Sequence, residues 1–188
     1  MAERCRPTRA LFRWSWGFLT RHRLAYRAYI GGASNDGRGR GVIRRFGTPP
    51  EPGRRYIRRP GAYALLPDGD DLLLTVQADP GPDLQLPGGG IDPGESPIAA
   101  LHREVYEETG YSIAAPRRVG AFRRFAYMPE YDLWAEKICL IYIARPVRPI
   151  GAPTEPGHDA VWMPAGQAAK SLGNAGDRYF ANLLRVGR

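Results

Sequence analysis

The stretch LPGGGIDPGESPIAALHREVYEETGY, residues 86–111, decides how this chain folds. Its first part, residues 86–94, is a glycine- and proline-rich loop in which no regular element persists. The second part, residues 95–109, has helical spacing and stops at Gly110, the residue type that most readily takes the left-handed turn ending a helix. At about 100° per residue, Ile98, Leu101 and Val105 fall on one stripe that can bury against a sheet. Glu104, Glu107 and Glu108 fall on another, within about 100° of arc. Glu104 and Glu108 form an i,i+4 like-charge pair. Such a pair opposes the helix weakly in water and more strongly in a cleft, where crowded carboxylates are driven to protonate. A divalent cation resolves that conflict. Oxygen donors on one rigid face suit Mg²⁺ or Mn²⁺, which keep several waters and share phosphate oxygens with a substrate. The glycine turn ahead of the helix lets backbone approach such a ligand, and Arg103 can pair with Glu107 to hold the cluster.

Working outward, residues 62–66 and 72–76 are apolar runs on either side of the turn PDGDD, which predicts a β-hairpin. Downstream, residues 118–127 and 133–144 are rich in aromatic and branched side chains and flank MPEYD, predicting a second, longer hairpin. A short strand at 160–163 and closing helices near 165–172 and 177–185 complete an α+β body, and no internal repeat points to a solenoid.

The 188 residues suit one domain with an appendage, and 43% apolar content excludes wholesale disorder. The net charge of +8 divides unevenly. Fifteen arginines against three acids give residues 1–60 a charge of +12, and the twelve basic and sixteen acidic groups beyond them give −4. Residues 1–41 therefore read as a basic, poorly ordered extension, in which Leu11, Trp14, Phe18 and Leu19 could line a short helix, and residues 42–188 as the folded domain. No apolar run reaches the roughly 18 residues of a membrane span. With two cysteines and no secretory pattern, the expected setting is a reducing cytoplasm.

Read from Gly89, the chain carries Gly-x5-Glu-x7-Arg-Glu-U-x-Glu-Glu-x-Gly-U, with U bulky and apolar, through Glu95, Arg103, Glu104, Val105, Glu107, Glu108, Gly110 and Tyr111. This resembles the Nudix box, and the order of elements from about residue 44 onward is similar to a Nudix domain. Tyr111 is the one soft departure, since the last U is usually aliphatic. The resemblance implies an α/β/α sandwich around a mixed β-sheet. It also implies hydrolysis of a diphosphate bond in a nucleoside diphosphate linked to another group. By position, Glu104, Glu107 and Glu108 become the metal carboxylates and catalytic residues, the Gly89 carbonyl a further ligand to Mg²⁺ or Mn²⁺, and Arg103 and Glu95 orienting groups. The family takes its general base from the box helix or from a loop elsewhere. Glu155 is the candidate outside the box, with Glu136 second. Phe122, Phe125, Tyr127, Tyr131 and Trp134 include rings able to stack on a base, but without a strand register none is assigned. His102 lies about 160° from Glu104 on the helix and is no ligand, His158 reads as a loop histidine, and Cys139 as a buried thiol.

The expected partner is a nucleotide-type small molecule: a damaged nucleoside triphosphate, a nucleotide sugar, a dinucleoside polyphosphate or an RNA 5′ end. Two alternatives accompany the enzyme reading. One is a silent nucleotide-binding module, and the other is an RNA-directed protein whose basic arm contacts phosphates. No membrane partner is expected, and a homodimer is compatible with the family.

Overall fold

In the computed structural model, residues 43–78 and 81–186 are described. The expected basic extension over residues 1–41 lies outside the described residues. The elements run β1 (Arg44–Arg45), β2 (Ile57–Asp68), β3 (Asp71–Gln77), β4 (Asp83–Gln85), β5 (Gly88–Gly90), α1 (Pro97–Thr109), β6 (Tyr111–Met128), β7 (Leu133–Pro149), β8 (His158–Pro164), α2 (Ala165–Ser171) and α3 (Ala175–Val186). Among the described residues the strands form one mixed sheet in the order β1-β6-β7-β2-β3-β4, with β5 added to β2 and β8 to β3.

Strand β2 is the axis of this sheet. It runs parallel to β7 from Ile57↔Ala135 to Leu65↔Ile143. On its other side the first half pairs with β5 (Ala62↔Gly89), and the end forms the hairpin with β3 (Leu66↔Leu73). Both faces of β2 are covered, so residues 61–66 are buried without alternation, as in the interior of a two-sided sheet. Successive side chains go to opposite cores. Ala62, Ala64 and Leu66 meet Leu101 and Val105 of α1, while Tyr63 and Leu65 join Phe122, Ile141, Leu172 and Phe180 on the side of α2 and α3. The expected α/β/α sandwich is therefore the observed one.

The first expected hairpin closes only at its tip, Leu66–Asp68 against Asp71–Leu73, because the rest of its two runs pairs with β5, β7, β4 and β8. The second is present and longer than its apolar runs, because polar and basic residues continue the β6–β7 ladder from Tyr111↔Pro149 to Met128↔Leu133. The stripe on α1 is shorter than expected. Leu101 and Val105 are fully buried, whereas Ile98, in the first turn, is 38% exposed. Helical periodicity identifies the apolar face but not where along the helix the sheet begins to cover it.

Helix α1 also starts two residues later than expected. Ser96 is extended (φ −78°, ψ 149°), and its hydroxyl caps the helix by accepting from the Ala99 N–H at 3.1 Å. Pro97 disfavours helical backbone in the residue before it, which keeps Glu95 out of the helix. At the other end Gly110 is left-handed (φ 71°) and its N–H donates to the Tyr106 carbonyl at 2.7 Å. Its own carbonyl accepts from the Ile150 N–H at 2.8 Å, and a Cβ there would run into the Gly151 carbonyl. The helix stop thus also fixes the loop leading to β8. Gly110→Ala should destabilise the protein by about 1–3 kcal/mol in chemical unfolding, through strain at a positive φ together with that clash. A change within about 0.5 kcal/mol would contradict the account.

Candidate functional site

Helix α1 turns Leu101 and Val105 to the sheet, and this orients the acidic face. Glu104 and Glu108 are 8% and 6% exposed, and the Glu107 side chain, further round, is 36% exposed. Strand β5 passes directly beneath. The Gly88 N–H donates to Glu108 Oε2 at 2.9 Å. Gly89 lies so close to the Glu104 carboxylate that a Cβ would overlap it, and its carbonyl lies beside Gly61 of β2. Glycine is required at both positions, since Gly88 has φ 140° and a Cβ there would strike the Ala62 carbonyl.

Arg103 binds the cluster together. A guanidinium has five N–H donors, and each has an acceptor here. Nε and Nη2 donate to the two oxygens of Glu95 at 3.1 and 2.9 Å. Nη1 donates to Glu104 Oε1 at 2.7 Å and Glu107 Oε2 at 3.1 Å, and Nη2 also donates to the Gly90 carbonyl at 3.0 Å. Glu95 reaches Arg103 because it sits in the loop rather than in the helix, and the hydrogen bonds from Arg103 hold its carboxyl below the usual range. Burial pushes Glu104 up despite the Arg103 contact, with Glu155 and Glu107 adding repulsion. Burial raises Glu108 well above the ordinary carboxylate value. The Gly88 N–H opposes that shift, and Glu155, Glu104 and Glu107 reinforce it.

The fifth carboxylate of the group comes from the loop before β8. The backbone N–H groups of Thr154 and Glu155 donate to the Glu107 carbonyl at 2.7 and 3.0 Å, so the free C-terminal carbonyls of α1 anchor that loop. Glu155 consequently lines a cleft of about 320 Å³ with Arg103, Glu104, Glu107 and Thr154. Oxygens of Glu104, Glu107 and Glu155 lie within 4.8 Å of one another, and so do donor atoms of Glu108, Glu155 and His158. Two buried carboxylates pushed toward protonation, beside two more acidic groups and a single guanidinium, form a donor set suited to a hard divalent cation.

His158 is the residue that sequence reasoning misplaced. It opens strand β8, paired with Gln77 of β3, and its side chain is 7% exposed between Glu108 and Glu155. The only available signal was its spacing of three from Glu155 at the start of an alternating strand. Glu136 lies away from the cluster, ion-paired on β7 with Arg58 (3.3 Å) and Arg123 (3.4 Å). His102 is exposed, and Cys139 is buried with its thiol pushed up to about 11. Of the hairpin aromatics, Phe122 is core, and Phe125, Trp134 and Tyr127 form a ring cluster with Tyr56.

Residues 57–184 match the family description "NUDIX domain". The chain belongs to the NUDIX domain family. It is 36% identical over 74 residues to a provisionally named 8-oxo-dGTP diphosphatase of Bacillus subtilis (strain 168), covering 39% of this chain and 50% of that protein. It is 30% identical over 124 residues to CMP-5'-(N-acetyl-N-hydroxy-3-aminopropyl)phosphonate hydrolase of Streptomyces rubellomurinus (strain ATCC 31215), covering 62% and 57%. The chain thus spans about half the length of these curated relatives. A solved NUDIX hydrolase from Nitrosomonas europaea has the same fold, with a TM-score of 0.58 at 20% identity over 70% of this chain and 90% of that one. Among the described residues of this NUDIX domain, no helix is long and apolar enough to cross a membrane.

Burial raises Glu108, Glu104 and, on the other side of the sheet, Asp177, whose carboxyl is pushed up to about 6, and these groups together set the pH behaviour of the NUDIX domain without bound cation. A carboxyl with a folded pKa above its unfolded value contributes stability below the unfolded pKa, about 4.3, and loses it as pH rises through the folded value. Chelator-treated protein should therefore lose stability from mildly acidic to neutral pH, and Glu108→Gln should remove part of that decline, with the parts due to Glu104 and Asp177 remaining. A divalent cation bound only by the folded state should, at about 100 times its Kd, add about 2.7 kcal/mol at neutral pH. Thermal unfolding across pH, with and without metal, measures all of this. A metal-insensitive, pH-flat wild type would contradict it.

Proposed function

We propose that residues 42–188 form a Mg²⁺- or Mn²⁺-dependent hydrolase that cuts a diphosphate linkage in a nucleoside diphosphate joined to another group. The observation that carries this reading is the convergence of Glu104, Glu107 and Glu155 on one cleft, braced by Arg103 and approached by the glycine strand β5. Glu104, Glu107 and Glu108 would hold the cation, with the Gly89 carbonyl as a further ligand. When bound, such a cation neutralises the pyrophosphate and acidifies a coordinated water. Glu155 would take the proton of the attacking water as its oxygen bonds to phosphorus and the anhydride P–O bond breaks. Arg103, saturated by its five acceptors, fixes the carboxylates through the charge change, and Glu95 fixes Arg103. The names of the Bacillus subtilis and Streptomyces rubellomurinus relatives support a nucleotide-type substrate, while other relatives named diphosphoinositol polyphosphate phosphohydrolase share only the diphosphate bond.

Phosphate release from a nucleotide panel tests the reading. Glu107→Gln or Glu108→Gln should lower turnover by roughly 100-fold or more with the fold intact, and Glu155→Gln by about 10²- to 10⁴-fold, the range of a lost general base. Near-normal rates in the Glu107 and Glu108 variants, or no metal-dependent hydrolysis of any panel member, would refute it.

A further inference from the structure

His158 has no role in the reaction as proposed, yet it is buried between Glu108 and Glu155, behind the residues that line the cleft. Its place is rigid, because β8 pairs with β3 from Asp71↔Pro164 to Gln77↔His158. Its side chain is 7% exposed, and Nδ1 is fully buried without a hydrogen-bond partner. A buried polar atom with no partner carries a desolvation cost that a ligand removes. Nε2 lies 3.6 Å from Glu108 Oε1, and Nδ1 lies 3.7 Å from Glu155 Oε1. Both distances are too long for hydrogen bonds. The two contacts are made by different ring nitrogens, and since a histidine binds an ion through one of them, only one contact can be an edge between neighbouring donors. One atom each from Glu108, Glu155 and His158 lies within 4.8 Å of the other two.

We propose that His158 is a nitrogen ligand for a divalent cation held with Glu108 and Glu155 on the β8 side of the cleft. This rests on the reading of the cleft as a cation site and adds a second donor set, in which Glu155 binds through one carboxylate oxygen and keeps the other for the proton of the attacking water. The consequence is metal selectivity. An imidazole favours transition-metal ions over Mg²⁺, whose chemistry is with hard oxygen donors. The position therefore takes Mn²⁺, Co²⁺ or Zn²⁺ in preference to Mg²⁺, and loss of the imidazole is felt by those ions most.

The test uses the full nucleotide-free chain with MnCl₂, read by pulsed electron paramagnetic resonance for directly bound ¹⁴N, together with calorimetric titrations of Mn²⁺ and Mg²⁺. Wild type should show imidazole nitrogen on Mn²⁺. His158→Ala should lose that signal and weaken Mn²⁺ binding by about 10-fold or more, with a much smaller effect on Mg²⁺. His158→Asn keeps a polar group of similar reach and serves where the alanine variant fails to fold. Mn²⁺ bound with an oxygen-only spectrum in wild type, or a nitrogen signal that survives both substitutions, overturns the proposal and leaves the cation site standing. No Mn²⁺ binding at all overturns both.

Discussion

Five carboxylates, Asp92, Glu95, Glu104, Glu107 and Glu155, surround the Arg103 guanidinium and the cleft beside it, with Glu108 buried behind them, and that concentration of like charge governs the rest of the structure. One fixed cation cannot balance it. Arg103 compensates Glu95, Glu104 and Glu107 in part, but burial still pushes Glu104 and Glu108 toward their neutral forms. Desolvation of Glu104 and Glu108 works against stability, and the Arg103–Glu95 pair offsets only part of it. The arrangement creates a strong, localised demand for external positive charge.

The fold meets that demand by placing every acidic group on an element whose position is fixed elsewhere. Helix α1 is set by Leu101 and Val105 packing on Ala62, Ala64 and Leu66 of β2. The glycine strand β5 is set by its register with Gly61, Ala62 and Tyr63. Glu155 is set by the end of α1 itself, because the Glu107 carbonyl anchors the loop. Residue 107 therefore contributes a side chain to the cleft and a backbone acceptor to the loop that brings in Glu155. The central sheet acts as the rigid frame on which functional geometry depends.

Much of this was legible in the residues. The 3.6-residue period exposed the apolar and acidic faces of α1, Gly110 marked its end, and the Gly89-to-Tyr111 spacing carried the family resemblance. What escaped was one local competition and several tertiary placements. The start of α1 depended on a competition between helical spacing and the conformational demand of Pro97, which Ser96 and Pro97 won. The shortened stripe depended on where the sheet ends, which periodicity does not encode. His158 acquired its surroundings from β3–β8 pairing and a loop anchored nearly fifty residues earlier in the chain, so its local sequence could not separate it from a surface histidine. Glu136 was similarly ambiguous until the β2–β7 and β6–β7 registers set it between Arg58 and Arg123.

The most direct measurement of the central claim is anomalous diffraction from crystals grown in Mn²⁺ at neutral pH. The account predicts a manganese peak about 2.0–2.3 Å from carboxylate oxygens of Glu104, Glu107 or Glu108, inside the cleft that Arg103 and Glu155 border. An occupied lattice with no peak there, and with those carboxylates pairing through shared protons or turned to solvent, would contradict it.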